Sequence, residues 1–229
     1  MSHDRYRSET LTEDNKRVFF ESGQQHIDHI LKIIEMNGSQ RDNFRNVLDF
    51  GCGVGRLIIP LAEHADNVVG IDASESMLRE ARKNCRKFNV TNVELATNLD
   101  SELGDDKKFD LVHTYIVLQH IRPIDGYDLI RRLVECLDDN GIGVLHITFF
   151  ETKRYRKFRK LVRDYVPFSN KLINLKNGQK ASYPRMEMNI YSLNVVFKIL
   201  YDFNCSIFSQ ELTDHGGTIG TVIYFNREL

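Results

Sequence analysis

From residue 47 to residue 149, short apolar runs alternate with amphipathic stretches, and residues 150–190 then interrupt the alternation. Residues 47–50, 67–71, 92–96, 109–115 and 143–149 read as strands, the first of them buried, and the near-continuous apolar run 143–149 suits a parallel strand covered on both faces. Between them lie helical stretches: 57–62, a segment opened by Ser74 with Met77, Leu78, Ala81 and Cys85 on one face, and residues 127–137. Pro123 and Gly126 are expected to break the chain before the last of these, and 138–141 to form a turn. A helix capped by Thr12 precedes the first strand. Its stripe is Val18, Phe19, Ile27, Ile30, Leu31 and Ile34, with a break expected at Ser22-Gly23 and an end at Asn37-Gly38. A helix over 191–200 and strands over 204–209 and 220–225, joined through Gly216-Gly217, close the chain. Strands alternating with helices require right-handed crossovers, which predicts an α/β, doubly wound, mostly parallel sheet.

The first strand runs into Gly51, Gly53 and Gly55, and residues 57–62 then open a helix. Glycine at alternate positions permits positive φ and lets a ligand approach where a Cβ would collide. The helix start is expected to aim unpaired N–H groups at the loop. A dinucleotide loop has the spacing G-x-G-x-x-G, whereas this one is G-x-G-x-G, and Asp49 stands two residues ahead of it. A carboxylate there repels a pyrophosphate but suits an ammonium group. Asp72, at the end of the second strand, stands where an acid accepts from ribose hydroxyls. A nucleoside with a cationic tail and no phosphate satisfies both acids, and S-adenosylmethionine is such a molecule.

Residues 47–56 and 70–74 resemble those of the class I S-adenosylmethionine-dependent methyltransferases, and a looser similarity runs from about Phe19 to the C-terminus. The resemblance implies a seven-stranded Rossmann-like sheet whose last strand is antiparallel, with S-adenosyl-L-homocysteine as the product. It places Asp49, Gly51, Cys52, Gly53, Gly55, Asp72, Ala73, Met77, Asn98, Leu99 and Thr114 at the cofactor, Asn98 facing adenine where an acid is common. Residues 1–40 then become a helical cover, and 150–190 an α-helical, substrate-recognising insertion in a single domain spanning 1–229.

A methyl sulfonium is already electrophilic, so the protein has to align an acceptor and exclude water. His120 follows the fourth strand at the carboxyl edge and is the candidate general base. Tyr115 and His215 are candidates for the acceptor site. His113 and His146 sit inside strands and read as satisfied core or sheet-face histidines. Between residues 150 and 185 there are 11 Lys and Arg against Glu151 and Asp164. Arg156, Arg159 and Arg163 could draw in an anionic acceptor, phosphate- or sugar-containing, and a solvated helix face is the competing reading. RNA fits poorly, because the rest of the chain is strongly acidic.

Composition narrows the classes further. With 41% apolar residues and a net charge of −1, this is an ordinary globular chain, and it has no apolar run of membrane-spanning length. Its polar N-terminus lacks a signal peptide's apolar core, and four scattered cysteines without a C-x-x-C pair suit a reducing cytoplasm and no structural zinc. The expectation is O-methylation of a small molecule. A catalytically silent fold acting as a binding protein and a nicotinamide oxidoreductase are the alternatives.

Overall fold

The computed structural model describes residues 12–38, 43–99, 107–152 and 188–228. Helix α1 (Glu13–Met36) leads into strand β1 (Phe44–Phe50), followed by α2 (Ile58–Leu61), β2 (Ala65–Ile71), α3 (Glu75–Lys87), β3 (Val93–Ala96), β4 (Phe109–Thr114), α4 (Pro123–Glu135), β5 (Leu137–Glu151), α5 (Leu193–Asp202), β6 (Cys205–Asp214) and β7 (Thr218–Arg227). The strands form a seven-stranded sheet in the order β3-β2-β1-β4-β5-β7-β6. The first five are parallel, and β7 runs antiparallel between β5 and β6.

The apolar strands alternate sides as a pleat demands. Val47, Leu111, Ile142, Val144, Val222 and Tyr224 pack with Ile27, Ile30 and Ile34 of α1 and Leu78 of α3. Leu48, Val112, Leu145, Ile147, Ile223 and Phe225 pack with Ile130 and Leu133 of α4 and Val196 and Ile199 of α5. Each such fully buried side chain contributes roughly 1.5–3 kcal/mol. The sheet is therefore covered on both faces, as its lack of polar alternation implies.

Four local expectations change. Helix α1 has no break at Ser22-Gly23. It runs unbroken, and Gly23 is there because a Cβ would stand 2.2 Å from the Arg56 carbonyl oxygen. Pro123 and Gly126 lie within α4 rather than before it. Proline fits the first turn, where its missing N–H costs no helix bond, and a Cβ on Gly126 would meet the Tyr191 hydroxyl at 2.0 Å. Residues 138–141 belong to β5, as a bulge that shifts the β4–β5 register between Phe109 and Leu111. Finally, the helix after the glycine loop is a single turn, Ile58–Leu61, that passes into a 3₁₀ turn (Ala62–His64) and straight into β2. Pro60 lies in that one turn, where no N–H is needed. Among the described residues no helix is long and apolar enough to cross a membrane.

Candidate active site

The carboxyl ends of β1 and β2 carry the glycine loop. Gly51, Gly53 and Gly55 all have positive φ, at 81°, 55° and 93°. Within the loop, four N–H groups are already bonded inside the protein. Gly51 and Cys52 donate to the Ile71 carbonyl (2.7 and 3.0 Å), Gly55 donates to the Cys52 carbonyl (3.0 Å), and Gly53 donates to Asp72 Oδ2 (3.0 Å). Asp72 also accepts from the Ser74 N–H through Oδ1 (2.8 Å), so one carboxylate joins the loop to the start of α3. Ser74 caps that helix, as expected.

Two of the three glycines have different reasons for being glycine. A Cβ on Gly51 would come within 2.1 Å of Val117, so the loop packs tightly on the segment after β4. A Cβ on Gly53 would meet nothing within 4 Å, so the middle of the loop faces open space. Cys52 points down, buried, with its sulfur beside Gly70. Burial, then the nearby Asp49 and Asp72 charges, push its thiol far up, which removes it as a nucleophile.

Under the loop lies a buried acid. Asp49 is 2% exposed and its Oδ1 is 2.7 Å from Nδ1 of His113, which is 0% exposed. Asp49 Oδ2 and His113 Nε2 are buried and without partners among the described residues, as is Thr114 Oγ1. The register pairs Asp49 with His113 directly across β1 and β4. Along the same sheet edge, Leu99 is buried, whereas Ala73 and Asn98, just past β2 and β3, and Met77, in the first turn of α3, are exposed.

The other end of the edge is built of rings. Tyr115, just past β4, stacks on His26 of α1 with centroids 4.0 Å apart and lies 5.0 Å from His146 of β5. His215, in the turn between β6 and β7, puts Nε2 3.2 Å from His146 Nε2, and His146 Nε2 is also 2.9 Å from Thr213 Oγ1. Burial first, then the neighbouring His215 and His113, lower the His146 pKa to about 3. Burial, then His113 and Arg56, lower His26 to about 2. Both rings are therefore neutral near neutrality. Tyr115 and His215 thus meet, as two candidate acceptor residues should, but His26 and His146 join them. The sequence marks His146 as a strand histidine and does not single out His26, and nothing in it shows that the two converge.

His120 ends a 3₁₀ turn, Leu118–His120, after β4 and is half-buried, with its Nε2 3.3 Å from Gln119 Nε2. The segment before α5 fixes that turn. The Tyr191 hydroxyl lies 2.8 Å from the Leu118 carbonyl and 2.9 Å from that of Ile121, and the Asn189 N–H donates to the Gln119 carbonyl (2.7 Å). Just ahead of the turn, Ile116 has φ +62°, a left-handed conformation that a β-branched residue rarely accepts. Strain of this kind gathers at functional sites, and sequence patterns do not reveal it. Arg156, Arg159 and Arg163 lie outside the described residues. Among the described residues no group of three His, Cys, Asp or Glu side chains is arranged to hold a metal ion.

Comparison with known proteins bears on this edge. A family model described as a methyltransferase domain matches residues 47–141, from β1 through the end of α4 into β5. Residues 47–141 thus match a methyltransferase domain, and the fold around them is the Rossmann-like fold of S-adenosylmethionine-dependent methyltransferases. It is 30% identical over 140 residues to a ubiquinone biosynthesis O-methyltransferase of Rickettsia typhi, a match covering 61% of this chain and 55% of that protein. It is 29% identical over 121 residues to a carboxy-S-adenosyl-L-methionine synthase of Sulfurimonas denitrificans, covering 52% and 48%. The chain thus spans about half the length of the relatives it matches. In fold it resembles the magnesium protoporphyrin IX methyltransferase of Synechocystis solved with S-adenosylhomocysteine, with a TM-score of 0.67, 23% identity, and coverage of 98% of this chain and 91% of that one. The family-model match is to a methyltransferase domain and not to a nicotinamide oxidoreductase.

The residues present fit the family's cofactor. Asp49 Oδ2 is an unpartnered buried acceptor suited to an ammonium, Gly53 opens onto free space, and Asp72 holds its carboxylate at the loop. A carboxylate oxygen has a second lone pair for a ribose hydroxyl beyond the N–H it already accepts.

Proposed function

We propose that this protein methylates a hydroxyl oxygen of a small acceptor bound at the carboxyl ends of β4 and β5. The observation that carries the reading is the adjacency of two half-sites on one sheet edge: a glycine loop over a buried acid at β1–β2, and a fixed turn bearing His120 after β4. When bound, S-adenosylmethionine supplies an electrophilic methyl group. Asp49 would receive the ammonium and Asp72 the ribose, with Ala73, Met77, Asn98, Leu99 and Thr114 completing the cofactor's site. His120 takes the acceptor's proton as its oxygen attacks, and Tyr191 and Asn189 keep that base in place. Tyr115 and His215 line the acceptor's approach.

Oxygen is favoured over nitrogen because the relatives at about 30% identity include several named O-methyltransferases. An anionic acceptor is favoured by the run of cations that follows β5. Incubating the protein with a small-molecule extract and methyl-labelled S-adenosylmethionine tests the proposal. Mass spectrometry should find one labelled metabolite and an equal amount of S-adenosylhomocysteine. Label on nitrogen would overturn the acceptor atom, and no label in any metabolite would overturn transfer to a small molecule.

A further inference from the structure

The Asp49–His113 pair has a feature that cofactor binding by Asp49 alone leaves unexplained. On the α1 face of β4, residues 111, 113 and 115 point the same way, and the row below is apolar: Val47, Leu111 and Ile142. An apolar residue at 113 would fill that space without the cost of burying an imidazole. Histidine stands there instead, wholly buried, with Nδ1 on Asp49 Oδ1.

We propose that His113 is a positioning residue for the cofactor: its Nδ1–H holds Asp49 Oδ1 and thereby leaves Oδ2 turned to receive the ammonium group of the methionine moiety. The inference rests on the cofactor reading given above. A buried carboxylate with no donor is costly, and one with a full set of donors has little left for a ligand. Here one oxygen is bonded and the other has no partner among the described residues. A lysine or arginine in place of His113 would bring a fixed positive charge, neutralising Asp49 and repelling the incoming ammonium. An imidazole N–H fixes the carboxylate without that charge. The β1–β4 register sets the two residues opposite one another, and the His26 ring of α1 stands edge-on to His113 at 5.8 Å, closing its far side.

Binding of two ligands to three proteins tests this. S-adenosylhomocysteine carries the ammonium, and 5′-methylthioadenosine keeps the nucleoside and sulfur but lacks the amino-acid end. His113→Leu should weaken S-adenosylhomocysteine by about tenfold to a hundredfold, the usual loss for a hydrogen bond to a charged group, and leave methylthioadenosine within about twofold. His113→Asn, whose amide nitrogen can sit where Nδ1 sits, should restore most of the loss. In the parent protein with ¹⁵N-labelled histidine and bound S-adenosylhomocysteine, the His113 proton should be on Nδ1, a readout that needs no variant to fold. Equal weakening of both ligands would make His113 merely structural. Unchanged S-adenosylhomocysteine affinity in the leucine variant, or an Nε2–H tautomer, would equally overturn the proposal. Those outcomes differ from failure of the cofactor reading itself, in which the parent protein would bind neither ligand.

Discussion

The two ends of the sheet's carboxyl edge are built from different materials. Around β1 and β2 the site is backbone: three glycines with positive φ, a loop tied to Ile71 and Asp72, and a helix one turn long. Around β4, β5 and the β6–β7 turn it is side chains, with rings of His26, Tyr115, His146 and His215 drawn from four separate stretches of chain. A backbone site suits a ligand that is always the same, because main-chain geometry is hard to vary residue by residue. A side-chain site can be rebuilt by substitution, which suits the part of the molecule that meets the acceptor.

The largest expected effect probes the side-chain end. His120→Ala should lower kcat by about 10²–10⁴, the usual range for a general base, with cofactor affinity nearly intact. Loss of cofactor binding in that variant would instead move His120 to the backbone end. Next comes Gly53→Asn. Asparagine tolerates φ near +55°, so the cofactor-free protein should melt within a few degrees of the parent. The new side chain fills the open space over the loop, and calorimetric affinity for S-adenosylhomocysteine should fall by about fivefold to a hundredfold, on the scale of 1–3 kcal/mol for overpacking a fitted site. An asparagine variant that still binds would place the ligand elsewhere.

How much of this could be read from the chain divides along the same line. Asp49, Gly51 and Asp72 stand near one another in sequence and are chemically unlike a core, so the proposed cofactor end could be read from them, and the doubly wound, mostly parallel sheet was legible too. Pairing of Asp49 with His113 was not, because it depends on register between strands more than sixty residues apart. His113 and His146 read as core histidines, and burial is indeed where they are found. What the sequence could not show is that His113 holds the acid and His146 joins Tyr115 and His215. The reason for Gly23, too, is a tertiary contact with Arg56 that no local pattern encodes.

Gly23→Ala sharpens that last point by its sign. In an exposed helix interior the change is worth about 1 kcal/mol of added stability. Here the new Cβ would stand 2.2 Å from a backbone oxygen, so a loss of about 1–3 kcal/mol is expected from overpacking, measured by denaturant unfolding. A gain would mean that α1 does not seat on the loop.

Acid should expose the ring end. His146 has a folded pKa near 3 against 6.5 for the unmodified side chain. Below pH 6.5 the unfolded chain binds a proton that the folded one refuses, so stability falls as pH drops and is retained above it. The contribution is at most about 1.4 kcal/mol per pH unit from this residue, and His146→Leu should flatten the slope between pH 6 and 5 by that order. An unchanged slope would show that the ring is open to water. The smallest effect concerns Ile116. Replacing it with glycine removes a half-buried side chain but relieves about 1–2 kcal/mol of left-handed strain, so melting should shift little while turnover drops as the loop before His120 loosens. A loss typical of an unstrained isoleucine would show that φ at 116 carries no strain.

The most direct test of a backbone end for the cofactor and a ring end for the acceptor is a crystal structure with S-adenosylhomocysteine. The account predicts the ammonium within hydrogen-bond reach of Asp49 Oδ2, the ribose hydroxyls at Asp72, and the sulfur facing the Tyr115 side of the edge. A cofactor whose ammonium lies away from Asp49, or whose sulfur faces away from Tyr115 and the His120 turn, would contradict it.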